Sequence, residues 1–335
     1  MNSDYLKKTV WFLLLLVLFG CVQRPVARPK TDSTSSSRPC DQLLTAGVQS
    51  FRSGDYTAAM RFFKEALVIG RGVDDGARMA RAEVNMAETA LAMGEYAAAH
   101  DSLLAARRLV EREGLATLVP YLEMIAASLA IREERRDDAI AILTPYLAAS
   151  GSPAGTNNRM EFRLAALVNR IKLVADDDKA QYRQWVGRYR QVLAGAQPSP
   201  PSSYQARLLR FEAQLAHWDG NRKDRDRSLS RALAILRQMK ERPGIAATLA
   251  EWGRYLMEDK EWSAARDRLD RAFFVRVAMR DSFGCEQVLT LLESLDLAAG
   301  DQQRLAETQR WRAVIRENQS RYWSGLLQMR TPASR

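Results

Sequence analysis

The chain has 335 residues, 47% of them hydrophobic and 27% charged, with 50 Lys and Arg against 40 Asp and Glu for a net charge of +10. That length carries one elongated repeat domain or two globular ones, with enough apolar side chain for a core without covalent staples. Three cysteines and two histidines argue against a disulfide framework and leave few ligands for a transition metal.

Lys7 and Lys8 precede an apolar run from Val10 to Phe19, and small Gly20 stands before Cys21. A positive start, about ten apolar residues and a small residue at the cut is the layout of a signal peptide, and the run is short for a membrane span. Leu18-Phe19-Gly20-Cys21 resembles a bacterial lipobox, with Phe19 where a small residue is usual. The resemblance implies that residues 1–20 are removed and that Cys21 is lipidated, which anchors the protein to a membrane. Val22, rather than Asp, follows the cysteine, and in enterobacteria-like systems this points to the outer membrane with the protein facing the periplasm. An uncleaved anchor and an ordinary signal peptide are the other readings of this layout.

Residues 21–39 contain Pro25, Pro29 and Pro39 among Ser, Thr and Arg, with few large apolar side chains. Such a stretch reads as a disordered tether after the lipidated cysteine. Its root-mean-square reach is on the order of 25 Å.

From Cys40 the sequence repeats itself. Gly54-Asp55-Tyr56-Thr-Ala-Ala59 with Phe63 and Ala66 is followed 40 residues later by Gly94-Glu95-Tyr96-Ala-Ala-Ala99 with Leu103 and Ala106, and then by Glu134 with Ala139 and Leu143. Gly220 with Leu229 and Ala232, Lys260-Glu261-Trp262 with Ala265 and Leu269, and Gly300-Asp301 with Leu305 continue the series at the same spacing. The interval between Glu134 and Gly220 fits two slightly long units with a turn near Asp176-Asp177-Asp178, giving seven in all. These phrases resemble the tetratricopeptide repeat. The resemblance implies an all-α, right-handed α-solenoid of about seven helical hairpins over residues 40–330, closed by a C-terminal capping helix from about Leu305 to Gln328, with a disordered tail at 331–335. Large and small positions on first helices are supplied by Leu43, Ala46 and Gly47, and by Leu249, Trp252 and Gly253. The 40-residue period exceeds the family's usual length, so extra helix or loop is expected, with Gly70 to Gly76 as such a loop. Trp311, Ile315, Tyr322, Trp323, Leu326 and Leu327 give the last helix a wide apolar face, read as a cap or, alternatively, as a docking patch.

Catalytic equipment is missing. His100 and His217 have no metal-site spacing, and there is no nucleophile elbow, phosphate loop or paired Cys-x-x-Cys. Asp176 to Asp178 lack calcium-loop spacing and read as a helix N-terminus. No enzyme, cofactor, metal or small-molecule substrate is expected. In the repeat family the concave face is lined by first helices, whose second, fifth, ninth, twelfth and thirteenth positions meet partners. Carried onto the fifth unit, these are Arg207, Arg210, Gln214, His217 and Trp218, joined by Arg254 from the ninth position of the sixth. Three arginines beside an indole suit an acidic partner segment; the other reading leaves the arginines solvated and Trp218 packing the hairpin end. The family's two-carboxylate clamp is not present, because Leu44 and Val48 stand where its Lys and Asn would be.

Residues 21–150 hold 16 basic and 17 acidic side chains, and residues 151–335 hold 32 and 22, so the basic surplus belongs to the second half. For an exported protein this suits acidic proteins, anionic lipid or wall polymer rather than nucleic acid. The function expected is a lipid-anchored protein-binding scaffold or assembly factor of a pilus, outer-membrane or cell-wall machine. Binding of peptidoglycan or anionic lipid by the basic half is the alternative, and a cytoplasmic signalling scaffold follows if the signal peptide is misread.

Overall fold

The computed structural model describes residues 33–148, 159–174, 178–195 and 202–317. The signal segment, Cys21, the tether up to residue 32, Asp176 and Asp177, and the aromatic segment from Tyr322 to Leu327 lie outside the described residues. Among those described there are fourteen α-helices. They are α1 (Ser33–Ser53), α2 (Tyr56–Gly72), α3 (Gly76–Met93), α4 (Tyr96–Arg112), α5 (Val119–Arg132), α6 (Arg136–Leu147) and α7 (Arg159–Lys172). Then follow α8 (Lys179–Ala194), α9 (Ser202–Trp218), α10 (Arg222–Gln238), α11 (Arg242–Glu258), α12 (Trp262–Ala278), α13 (Ser282–Ala299) and α14 (Gln302–Arg316). Consecutive helices pack as pairs, so the described residues form an all-α array of seven helical hairpins.

The turns fall into a shorter period than the sequence phrases suggest. Left-handed residues occur at Gly54, Asp74, Gly94, Gly114 and Glu134, and again at Gly220, Lys240, Lys260, Arg280 and Gly300. Within each series the left-handed residue recurs every 20 residues, after first and second helices alike. The chemistry is one motif repeated. At the first turn the Asp55 N–H donates to the Ser50 carbonyl at 2.9 Å and the Gly54 N–H to that of Phe51 at 2.9 Å; at the last, Asp301 donates to Asp296 at 2.9 Å and Gly300 to Leu297 at 3.2 Å. These nested bonds satisfy the helix's final carbonyls, at the cost of one residue in the left-handed region. The next residue is often acidic and starts the following helix: the side chains of Asp55, Asp75, Asp178, Asp281 and Asp301 each accept from a backbone N–H three residues on.

The extra length lies in the helices. Gly70, Arg71 and Gly72 continue α2 instead of forming a loop, and only Val73, Asp74 and Asp75 separate it from α3. Gly70 is buried there because a β-carbon would stand 3.0 Å from Met79 Cγ. Six helices, α2, α4, α9, α10, α11 and α12, have 17 residues, about 25 Å each.

Pairing depends on small residues where the two helices cross. Ala59, Ala99, Ala139 and Ala265, each in the first turn of its helix, are fully buried. Gly47 and Gly253 lie on the facing first helices, where a β-carbon would stand 2.3 Å from Phe63 Cε1 and 2.6 Å from Leu269 Cγ. Hairpin five departs from this pattern: the equivalent site in α10 is Arg225, 1% exposed, whose guanidinium pairs with Asp226 at 2.8 Å and Asp259 at 2.6 Å. At the far end Trp311 of α14 stacks on Phe273 with centroids 5.0 Å apart, and Ile315 is buried beside it, which places both in the core of the last two hairpins. Cys40 and Cys285 are both buried and unpaired.

The array also curls onto itself. Phe283, at the start of α13, meets Tyr96 edge to face at 6.3 Å, carries the Arg132 guanidinium 5.9 Å above its ring, and covers Gly94 so closely that a β-carbon there would be 2.6 Å from it. Gly54 sits in the same way against Met279 and Pro243. Turns of the first two hairpins therefore rest on the connections entering hairpins six and seven.

Candidate functional site on the inner wall

Helix α9 buries Ala206, Leu208, Leu209 and Ala213. Its residues 207, 210, 214 and 217 follow helical spacing and share another face. Three of those four are engaged by α11, about 40 residues on. Arg210 forks onto Glu251, with Nε 2.8 Å from Oε2. The Gln214 side-chain oxygen accepts from Arg254 at 3.0 Å and from the Tyr255 hydroxyl at 2.9 Å. His217 stacks on Tyr255 at 4.4 Å and its Nε2 lies 2.6 Å from Glu258, which also takes Arg254 at 2.7 Å. Trp218 turns instead to α8, edge to face with Tyr182 at 4.8 Å. Thus Arg210, Gln214, His217 and Arg254 form one network joining hairpins five and six, while Trp218 packs a hairpin end. Arg207 is exposed and, among the described residues, has no carboxylate at ion-pair distance.

Arg207 belongs to a second group that residue patterns alone did not pick out. Lys172, the last residue of α7, reaches Asn169 Oδ1 at 3.4 Å and, among the described residues, has no carboxylate at ion-pair distance. Its side chain is exposed to solvent, and protein packed around it, then the neighbouring guanidinium charges of Arg207, Arg132 and Arg210, hold its ammonium below the usual lysine range. Arg132 ends α5, and among the described residues it too has no carboxylate at ion-pair distance. A signal for this pair is visible in retrospect: Arg52, Arg132 and Lys172 each lie in the last turn of a first helix, 80 and 40 residues apart. Cations there also favour the negative helix end.

The first helices of hairpins one to four border a groove of about 740 Å³, lined by Leu44, Val48, Arg52, Arg81, Tyr121 and Phe162 among others. Tyr121 and Phe162 meet edge to face at 4.7 Å. Tyr204 of α9, its hydroxyl pushed up by burial, lies in the electrostatic reach of Glu161, Arg207, Tyr121 and Arg52. Burial raises Glu88 against the pull of Arg52, and raises Glu241 against the pull of Arg207 and Arg210.

These features define a class, the helical-hairpin repeat protein with a polar, aromatic-lined inner wall. No family model matches the chain, and no curated protein matches it.

Proposed function

We propose that the protein is a tetratricopeptide-type scaffold of the bacterial envelope, anchored through lipid on Cys21 to the outer membrane and binding a partner protein along its inner wall without catalysis. The observation that carries this reading is the groove of about 740 Å³ on the first helices, lined by apolar and aromatic side chains together with Arg52 and Arg81. That volume is in the range of ligand clefts, and aromatic and arginine side chains are the usual anchors of interfaces. Membrane anchoring would raise the effective concentration of a client held in the same plane. The wall-polymer alternative draws less support, because many arginines of the basic half, among them Arg190, Arg210, Arg222, Arg225 and Arg254, are already bound to carboxylates. The test is a crosslinked pull-down of the lipid-bearing protein from its native envelope, beside an Arg207→Glu variant. We expect one envelope machine to be enriched by the wild type and lost with the variant. Recovery of wall fragments or lipid alone, abolished by high salt, would reverse the choice.

A further inference from the structure

Many guanidinium groups of this array are neutralised from within. Arg78 is held by Asp41 and Asp75, Arg135 by Glu133 and Asp138, Arg210 by Glu251, and Arg266 by Asp270 and Asp296. Two arginines that line the groove differ. Arg52 of α1 and Arg81 of α3 are exposed and, among the described residues, have no carboxylate at ion-pair distance. Asp41, the carboxylate among the described lining residues, is already forked by Arg78, with Nε 3.0 Å from Oδ1 and Nη2 2.8 Å from Oδ2. Glu88 of α3 feels the charge of Arg52 but forms no ion pair with it. The groove therefore presents two cationic forks whose charge its own wall does not take up.

The helices also set how far apart these forks stand. Cys40 Sγ donates to the Ala66 carbonyl at 3.3 Å and Gly47 faces Phe63, so α2 returns antiparallel beside α1 and α3 then runs in the direction of α1. Counting on from the contact of Arg78 with Asp41, Arg81 comes level with Leu44. Arg52, eight residues further along α1, is then about 12 Å away at 1.5 Å per residue. By the same count Val48 and Val84 fall between the two, and Tyr121 and Phe162 complete the apolar lining.

We propose that this groove binds an extended segment of a partner protein bearing two acidic residues four apart with an apolar residue midway, the carboxylates seated on Arg81 and Arg52. The proposal rests on the scaffold reading above and names its ligand. An extended chain advances about 3.3 Å per residue and turns every second side chain to the same side. Carboxylates four residues apart thus stand about 13 Å from each other on one side, and the middle side chain points the same way, onto Val48 and Val84. Each carboxylate accepts charge-assisted hydrogen bonds from a planar guanidinium fork. A free inorganic anion could pair with one arginine but would leave the apolar and aromatic lining uncovered, so the groove favours the peptide.

The experiment is fluorescence anisotropy of a rhodamine-labelled peptide, Ser-Glu-Ala-Leu-Ala-Glu-Ser, titrated with the purified full-length protein in detergent, beside the same peptide with Gln for both Glu. We expect Arg52→Gln and Arg81→Gln each to weaken the Glu peptide about tenfold, by loss of one charge-assisted contact, and to leave the weaker Gln peptide unchanged. Tyr121→Ala should weaken both peptides alike, since it removes apolar lining only. Arg61→Gln on α2, an exposed arginine outside the groove with the same loss of charge, should leave both unchanged. A peptide with its two Glu adjacent should lose most of the advantage of the spaced one. Equal binding of the Glu and Gln peptides, equal losses in Arg61→Gln and Arg52→Gln, or displacement of the peptide by millimolar phosphate would each overturn the site. Self-association of the free protein that Tyr121→Ala abolishes would overturn it too, by giving the groove to a second copy. Arg52 and Arg81 are exposed, so neither variant disturbs the core. A pull-down that succeeds while the peptide fails rejects this site and leaves the scaffold standing; failure of the pull-down with peptide binding intact does the reverse.

Discussion

Gly54 and Gly300 have the same backbone conformation, with φ of 83° and 71°, yet different surroundings. A β-carbon at Gly300 would meet nothing within 4 Å, whereas one at Gly54 would be 2.2 Å from Met279 Sδ. Gly300→Ala should therefore cost only the left-handed backbone, about 1–2 kcal/mol, and Gly54→Ala distinctly more, because it also pushes Met279 out of place. Urea denaturation of the two variants measures the difference, and equal losses would mean that the Met279 contact carries no energy. These glycines were legible in the sequence because glycine favours positive φ and each precedes a polar residue and an aromatic or amphipathic run. Asp74, Lys240 and Arg280, in turns between hairpins, adopt the same conformation with ordinary side chains, so those turns left no such mark. That is why a 40-residue period was readable and the 20-residue one was not.

Helices here are bounded by side chains that serve their neighbours as well. Asp281 caps α13 by accepting from the Gly284 N–H at 2.8 Å, and it also holds Arg276 of α12 at 2.5 Å while only 4% exposed. Asp301 caps α14 in the same way from an exposed position. Asp301→Ala should cost about 1 kcal/mol. Asp281→Ala should cost about 2–4 kcal/mol, since it removes a cap and leaves a guanidinium without its carboxylate; thermal unfolding followed by circular dichroism ranks them. The faces of α9 were readable from spacing, which set Arg207, Arg210, Gln214 and His217 together. Their partners were not, because Glu251, Tyr255 and Glu258 meet them only through the rotation between hairpins five and six. Lys172 escaped notice for a related reason: hairpin four has lost the turn phrase, so nothing local aligned it with Arg132.

A linear stack of repeats contacts only nearest neighbours, and its stability is close to a sum of unit and interface terms. Contacts of Phe283 with Gly94, Tyr96 and Arg132 add a link between distant hairpins that this sum lacks. Phe283→Ala should cost about 2 kcal/mol, less than a fully buried ring because Phe283 is half-buried. The more telling effect is on cooperativity. Hydrogen exchange should show hairpins one and two opening together with six and seven in the wild type, and separately in the variant. Coincident opening in both proteins would show that the link carries no coupling.

The same contact fixes how wide the described array can open. While Phe283 rests on Gly94 and Tyr96, the first two hairpins and the last two are held together; once it parts they are free to separate, so one half-buried ring far along the chain sets the breadth of the whole.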